Sequence, residues 1–270
     1  MEMRANADSA YVIGAAHRVC QDYARCGRTQ EGRPYAIVSD GCSGSPDTDV
    51  GARLLTLSCE VGIGRISSMA DPAWWCWGAM EVIDLRRRLF QKTCWNLDPL
   101  AMDATLVFAL GQRSSAFVSC TGDGVIAARD PGGALRIWEV EAPDGYPRYA
   151  NYLVDDQRMA AVLQREEWVA RGPDGEELRC RGVQPFQRTI EDAAVVAVFS
   201  DGVRSFLDAD HQPIPSEVIV GELMAFKGLQ GVFVQRRLQA FLRKAAQRGW
   251  RHDDDLSMGA VVLERAEGSA

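Results

Sequence analysis

The amino-acid sequence predicts an α+β protein in which helices cover a sandwich of antiparallel β-sheets. Four apolar runs between residues 104 and 140 follow one another with only tight turns between them, and consecutive strands joined this way favour antiparallel pairing. Strand patterns and helix patterns occur in separate blocks along the chain, which is typical of α+β folds. No linker or low-complexity segment divides the 270 residues, so we expect a single domain over 1–270.

Each predicted element rests on a local pattern. Residues 47–49 can cap the free amides of a helix start, and apolar residues then recur at helical spacing until Gly62 and Gly64, where we expect the helix to end. The expected strands are 11–13, one that ends at Asp40, 104–110, 115–121, 124–129, 135–140, 192–200 and 256–263. The other expected helices are 74–95, 216–226 and 232–248.

The stretches between these elements contain polar residues and turn signals. Residues 17–32 are expected to form mainly a polar loop, and residues 122–124 a hairpin turn between two neighbouring strands. The segment 142–185 is polar and punctuated by proline and glycine, and its pattern supports no assignment.

Charge and cysteine content argue against some classes of function. Acidic residues outnumber basic ones by 37 to 30, giving a net charge of −7, which argues against nucleic acid as the main partner. The eight cysteines form no C-x-x-C pair, so zinc-site spacing is absent. The sequence shows no signal peptide and no uncharged apolar run of the ~18 residues that a membrane span needs. We therefore expect a cytoplasmic protein with reduced thiols and no membrane partner.

Aspartates stand beside glycine at the ends of several predicted strands. Residues 39–41 and 200–202 both read Ser-Asp-Gly after an apolar run, Asp123 lies in a Gly-Asp-Gly turn, and residues 253–255 precede the last strand. A sheet sandwich can bring such termini to one edge, where several carboxylates repel one another. A divalent cation removes this repulsion, and oxygen ligands suit magnesium or manganese better than zinc. Each aspartate alone could equally be a turn residue, and residues 253–255 a solvated loop.

Six short motifs occur in one order along the chain. They are the segments 17–22 (HRVCQD), 38–44 (VSDGCSG), 103–106 (DATL), 121–124 (TGDG), 199–202 (FSDG) and 254–257 (DDLS). Each motif alone arises easily by chance, whereas six in this order at plausible spacing form a strong signal. Together they resemble the metal-dependent protein phosphatase 2C family, and their His and Gln variants look most like a bacterial-type subgroup of it.

The resemblance implies a four-layered α-β-β-α sandwich and a site for two magnesium or manganese ions, with a third, weaker position. Asp40 would bridge the two ions, the Gly41 carbonyl would ligate one of them, and Asp201 and Asp254 would hold the other. Asp123 would belong to the third position. Asp40, Asp201 and Asp254 would thus carry catalysis, in which a water between the ions attacks phosphorus in line with the departing Ser or Thr oxygen.

Residues around these ligands match the family less closely. Asp22 would support the site through hydrogen bonds or water, and Gln21 and Asp255 would support the ligands from behind. His17 stands where the family has a phosphate-binding arginine, so either a cationic His17 or its neighbour Arg18 would bind phosphate. Gln21 replaces a family glutamate and could still accept a hydrogen bond from a metal-bound water.

Three functions are compatible with this resemblance. The first is a magnesium- or manganese-dependent phosphatase acting on phosphoserine or phosphothreonine of proteins that a Ser/Thr kinase has modified. The second is a pseudophosphatase that binds a phosphoprotein without turnover, suggested by His17, by Gln21 and by Cys42, which replaces a histidine proposed as the general acid in many members. The third is a phosphatase of a small phosphorylated metabolite. The retained aspartates favour the first.

Overall fold

Two antiparallel β-sheets packed face to face form the centre of the protein in the computed structural model, which describes residues 6–65 and 97–264. The strands, in chain order, are β1 (Asn6–Val12), β2 (Asp22–Arg28), β3 (Pro34–Asp40), β4 (Leu106–Gly111), β5 (Ser115–Thr121), β6 (Gly124–Arg129), β7 (Leu135–Glu141), β8 (Trp168–Arg171), β9 (Glu177–Cys180), β10 (Phe186–Glu191), β11 (Val195–Phe199), β12 (Phe206–Leu207), β13 (Arg251–His252) and β14 (Leu256–Val262). The helices are α1 (Thr48–Arg65), α2 (Asp156–Leu163), α3 (Ser216–Leu223) and α4 (Phe233–Gln247).

The strands divide into two main sheets. The larger sheet has seven strands in the order β1-β14-β11-β6-β7-β8-β9, and the smaller has five in the order β10-β5-β4-β3-β2. The short strands β12 and β13 form a separate ribbon. Apolar side chains from both sheets, including Val38, Val107 and Val198, fill the space between them. Burial on both faces explains why β3, β4, β11 and β14 read as nearly continuous apolar runs.

Helices cover the outer face of each sheet. Cys59 and Ile63 of α1 pack on Ile37 and Phe108 of the smaller sheet, and α3 and α4 pack on the larger sheet through side chains such as Leu238. The predicted α+β class and its antiparallel sandwich with helices on both faces are therefore confirmed. Within residues 6–65 and 97–264, we find no helix both long enough and apolar enough to cross a membrane.

Several predicted elements differ from the structure in extent. The first strand begins at Asn6 and not near residue 11, and α1 continues through Gly62 to Arg65 because its helical hydrogen bonds tolerate glycine at a modest cost. The helix expected over 216–226 ends at Leu223. The helix predicted over 74–95 lies outside the described residues.

The polar loop predicted over 17–32 is wrong in part. Residues Asp22–Arg28 form the edge strand β2, which pairs with β3. An edge strand has one unpaired side, and only Asp22 and Ala24 of β2 are buried. The strand therefore carries polar residues such as the half-buried Arg25, which pairs with Glu60 of α1 at 2.9 Å. This composition concealed the strand from the sequence pattern.

The hairpin predicted at residues 122–124 is also wrong. The strand before this turn, β5, belongs to the smaller sheet, and the strand after it, β6, belongs to the larger sheet. Gly122 has a φ of 94°, a backbone conformation that glycine adopts readily, and the chain crosses here from one sheet to the other. Asp123 is consequently placed at an edge of the sandwich, between the two sheets.

Candidate metal centre

The predicted aspartates come together because the strands that carry them end on the same side of the sandwich. Asp22 opens β2 and Asp40 ends β3, and the two residues lie opposite each other in the antiparallel ladder. The end of β11 pairs with the start of β14, so Asp201 and Asp254 both lie beyond that end. Asp40, Asp123, Asp201 and Asp254 line one cavity of about 680 Å³.

Asp22 lies behind the cavity and supports Asp40. Its side chain is only 1% exposed, and its Oδ2 accepts a hydrogen bond of 2.6 Å from the Ser200 hydroxyl. The same hydroxyl accepts the Ser257 amide at 2.9 Å. Oδ1 of Asp22 and Oδ1 of Asp201 are buried and meet no hydrogen-bond donor within the described parts of the chain. Two buried carboxylate oxygens therefore remain available to a cation or its waters.

The crowding of these acids raises their pKa values. Burial, followed by the charges of Asp22 and Asp201, holds the pKa of Asp40 well above its usual range. Burial raises the pKa of Asp22 to about 7, and burial with the charge of Asp201 raises the pKa of Asp123 to about 7. The pKa of Asp254 is raised by burial and by Asp201. The cluster thus carries negative charge that the nearby His17 and Arg204 offset only in part, and a bound dication would offset the rest.

Asp255 joins two loops beneath the cavity. It is buried, and its carboxylate accepts the Gly14 amide at 2.7 Å and the Gln21 amide at 2.6 Å. His17 Nδ1 lies 2.9 Å from Asp255 Oδ2, and His17 Nε2 lies 3.5 Å from Asp254 Oδ1. The hydrogen bond with Asp255 raises the pKa of His17. The acidic run at 253–255 is therefore bound to the loop before β2 and is not a freely solvated loop.

The two predicted phosphate ligands occupy different places. His17 lines the cavity, although both of its ring nitrogens face carboxylates. Arg18 is exposed and is not among the residues that line the cavity. A role for either residue in binding phosphate stays a prediction.

Gln21 contributes mainly through its backbone. Its carbonyl accepts the Gly41 amide at 3.2 Å, and its side-chain nitrogen donates to Thr48 Oγ1 at 2.7 Å, away from the residues that line the cavity. Gly41 lies in the cavity lining beside Asp40, where its carbonyl is predicted to be a ligand. Gln21 thus ties the metal motif to the start of α1.

Sequence reasoning missed several residues that shape the site. Ser200 was seen only as part of Ser-Asp-Gly, and its bond to Asp22 depends on a pairing of distant strands. Gly14 was also missed, and Gly202 was seen only as part of its motif. A Cβ atom at either would lie within 2.2 Å of the backbone of residues 254–255. The outer side of the cavity comes from Tyr146, Tyr149 and other residues of the unassigned segment 142–185.

The donor atoms fit a hydrated hard cation. Across the described ranges, no three His, Cys, Asp or Glu side chains lie close enough to enclose an ion by themselves. Magnesium keeps several waters and usually binds proteins through one or two carboxylates. The oxygen-only set around Asp40, with two carboxylate oxygens lacking donors, meets that requirement.

Comparisons with known proteins agree with this arrangement. Solved structures that resemble the chain include a bacterial serine phosphatase (12% identity, 98% of this chain and 100% of that chain, TM-score 0.61). Others are the S. agalactiae serine/threonine phosphatase (14% identity, 97% of this chain and 100% of that chain, TM-score 0.60) and a Mycobacterium tuberculosis serine/threonine phosphatase (16% identity, 97% of this chain and 99% of that chain, TM-score 0.57). At these identities the likeness shows the fold. A search of curated proteins finds no match.

The family comparison extends over most of the sequence. The sequence model of the family described as protein phosphatase 2C matches residues 14–243, a range that contains Asp22, Asp40, Asp123 and Asp201 and ends before Asp254. The match and the convergence of these aspartates at one cavity support the same assignment. The chain therefore belongs to the protein phosphatase 2C family.

Proposed function

We propose that this protein hydrolyses phosphoserine and phosphothreonine in proteins and depends on magnesium or manganese. The observation that carries the proposal is the cavity itself, in which Asp40, Asp123, Asp201 and Asp254 converge from distant segments. Family membership supports protein phosphatase activity, and the proposal adds the metal and the kind of phosphorylated residue. A cytoplasmic location and substrates supplied by a Ser/Thr kinase stay predictions.

Asp40, the Gly41 carbonyl, Asp201 and Asp254 would hold two ions, with Asp123 at a third position. Bound magnesium or manganese supplies positive charge for the phosphoryl oxygens and lowers the pKa of a water. Asp22 and Ser200 keep Asp40 in place from behind, because the Ser200 hydroxyl bonds to Asp22 and Asp22 faces Asp40 across the ladder. Preorganised groups of this kind need not reorient during the reaction.

The chain's own side chains favour direct attack by water. Cys42, Ser43 and Ser45 line the cavity, but a serine or cysteine nucleophile needs a base to activate it. His17 is the histidine in the cavity lining, and both of its nitrogens face Asp254 and Asp255. It is therefore poorly placed to serve as that base.

The direct test is release of inorganic phosphate from a phosphothreonine peptide with added manganese and with EDTA. We expect turnover only with the metal, loss of turnover in Asp40→Asn, and no change in Asp192→Asn, a matched substitution in an exposed turn. Manganese binding is measured separately by calorimetry. Absence of metal-dependent turnover, or equal turnover by Asp40→Asn, contradicts the proposal.

The same assay separates the two alternatives. Tight phosphopeptide binding without turnover in saturating manganese would identify a pseudophosphatase, and turnover confined to small phosphate esters would identify a metabolite phosphatase. The structure weakens the argument for a pseudophosphatase from Gln21, because its side chain bonds to Thr48. The change from glutamate at this position therefore need not remove a metal ligand.

A further inference from the structure

The cavity lining includes apolar side chains besides its aspartates. We define the outer wall as Leu100, Tyr146 and Pro147, all of which line the cavity. Leu100 remains 39% exposed, and Tyr146 and Pro147 are half-buried. The aspartates and the outer wall share a space of about 680 Å³, which is in the range of ~300–1,000 Å³ typical of ligand pockets and exceeds what a phosphate group alone fills.

A buried ion pair holds the segment behind this wall. Both oxygens of Asp103 accept hydrogen bonds from Arg158, at 2.8 and 2.6 Å. Asp103 is 3% exposed and also accepts the Asn151 side chain at 2.8 Å. The Arg158 guanidinium lies 4.1 Å from the ring centroid of Tyr152. A bidentate arginine with this support fixes both distance and orientation.

Asp103 also holds the loop that carries the metal motif. Its carbonyl accepts the Cys42 amide at 2.8 Å, and its Oδ2 accepts the Ser45 hydroxyl at 3.2 Å. One residue therefore links the loop after Asp40 to the segment that contains Tyr146.

A second ion pair anchors the other end of the wall. Arg148 is buried and its Nη2 donates to Asp144 at 2.9 Å. The Arg165 guanidinium lies 3.7 Å from the ring centroid of Tyr146 and 3.5 Å from Asp144. Tyr146 is thus held between two arginines that share the single carboxylate of Asp144.

The basic side chains in the cavity lining are already paired. Of the described lining residues, His17 and Arg158 are basic. His17 faces Asp254 and Asp255, and Arg158 pairs with Asp103. The side chains of the outer wall therefore offer apolar contact, and the basic side chains that line the cavity are already paired. Such a surface favours apolar groups over acidic ones, because a carboxylate would lose hydration without gaining a partner.

We propose that the outer wall is a specificity subsite for an apolar or aromatic residue next to the phosphorylated residue, and that the Asp103–Arg158 pair positions it. The inference rests on the proposed phosphatase function and adds the substrate preference. Arg158 acts here as a positioning residue, since its guanidinium is occupied by Asp103. Its loss would displace Tyr146 and Pro147 while the aspartates keep their own support.

The test compares substrates that share one leaving group. They are a phosphothreonine peptide with phenylalanine on both sides, the same peptide with glutamate there, and N-acetyl-phosphothreonine amide. For the wild-type protein with manganese we expect kcat/KM for the phenylalanine peptide to exceed that for the glutamate peptide by about tenfold or more, the usual discrimination of one apolar contact. Binding of a non-hydrolysable phosphonate form of each peptide should show the same order.

Tyr146→Ala and Arg158→Met should remove this preference and leave the amide substrate nearly unchanged, and Arg158→Lys should keep part of it. Arg179→Met is the matched control, because Arg179 pairs with Glu177 on an exposed strand. If Arg158→Met fails to fold, Tyr146→Ala decides the question alone. Equal rates for the two peptides, or equal losses on all three substrates, overturn the inference. If wild-type protein hydrolyses no substrate, the proposed function itself fails.

Discussion

Two groups of aspartates lie in or beside the lining of one cavity, and they differ in whether an arginine pairs with them. In the first group, which we call the floor, Asp22, Asp40 and Asp123 have raised pKa values. In the second, the wall pairs, Asp103 accepts both nitrogens of Arg158 and Asp144 pairs with Arg148. The residue type is the same in both groups, but of these aspartates only those of the wall pairs accept hydrogen bonds from an arginine within the described residues.

This difference distinguishes a carboxylate that stabilises the fold through an ion pair from one that is suited to bind a cation. Asp144 illustrates the first kind: burial alone would raise its pKa, but hydrogen bonds from Arg148, Arg165 and the Tyr146 amide, with the charge of Arg148, together outweigh burial, and the pKa is lowered. Asp22 illustrates the second, because burial raises its pKa to about 7 and one of its oxygens lacks a donor. Strong perturbation of this second kind is typical of functional sites.

The largest expected effect is on catalysis. Asp40→Asn should lower kcat on a small phosphate ester by on the order of 100- to 1,000-fold, the loss typical of one preorganised electrostatic group. Asp103→Asn should lower that rate much less, because the Asp103 carbonyl still accepts the Cys42 amide of the metal-motif loop. Phosphate release with manganese measures both. Comparable losses in the two variants would remove the division between floor and wall.

The next effect is on folding. Arg158→Met leaves the buried Asp103 without its cation. Because Arg158 is itself half-buried, the loss in the free energy of unfolding should approach but not reach the ~3–5 kcal/mol of a fully buried pair. The exposed pair of Arg179 and Glu177 should contribute no more than about 1 kcal/mol, so Arg179→Met is the control. Urea unfolding followed by tryptophan fluorescence measures both. A similar loss in the two variants would mean that the wall pair has no structural importance.

When metal is removed, the floor carboxylates should make the stability of the protein depend on pH. The folded-state pKa values of Asp22 and Asp123, about 7, exceed the ordinary value of 3.8, so the folded protein binds more protons than the unfolded chain. Their contribution to stability is therefore present below about pH 4 and is lost as pH rises through about 7. Asp144 has a lowered pKa and acts oppositely: its contribution is present above about pH 4 and lost in stronger acid.

This pH dependence is measured as the melting temperature in EDTA and in saturating manganese. We expect the melting temperature in EDTA to fall between about pH 4 and pH 7, and Asp123→Asn to reduce the fall, because its amide cannot ionise. Manganese should remove most of the slope, since a dication replaces the protons. A melting temperature in EDTA that does not change with pH would show that folding does not raise the pKa values of the floor carboxylates.

The floor aspartates could be predicted from the sequence, and the wall pairs could not. The Ser-Asp-Gly motifs that contain Asp40 and Asp201 follow apolar runs, which predicts that both aspartates lie at strand ends. Because strand ends can meet when sheets pack, the local pattern predicted that these aspartates converge. Asp103 and Arg158 are separated by 55 residues, and neither lies in a pattern that specifies its partner. The pairing depends on where α2 packs, which the Pro- and Gly-punctuated segment 142–185 does not encode in its periodicity.

The edge strand β2 shows the same limit within the floor. Its apolar alternation is interrupted by Arg25 and Arg28, so residues 22–28 read as a loop, and yet Asp22 takes its position from the pairing of β2 with β3. The motif identified Asp22 as a candidate ligand through the family resemblance. Only the ladder explains why it lies opposite Asp40.

The smallest expected effect concerns Gln21. The sequence predicts that it supports the metal ligands, but its side chain bonds to Thr48 and points away from the residues that line the cavity. Gln21→Glu loses the hydrogen bond to Thr48, which should cost about 1 kcal/mol of the free energy of unfolding. Manganese affinity, measured by calorimetry, should match that of Gln239→Glu, the same charge change on an exposed face of α4. A clear gain in affinity specific to Gln21→Glu would instead show that this side chain reaches the ion, and Gln21 would then belong to the floor.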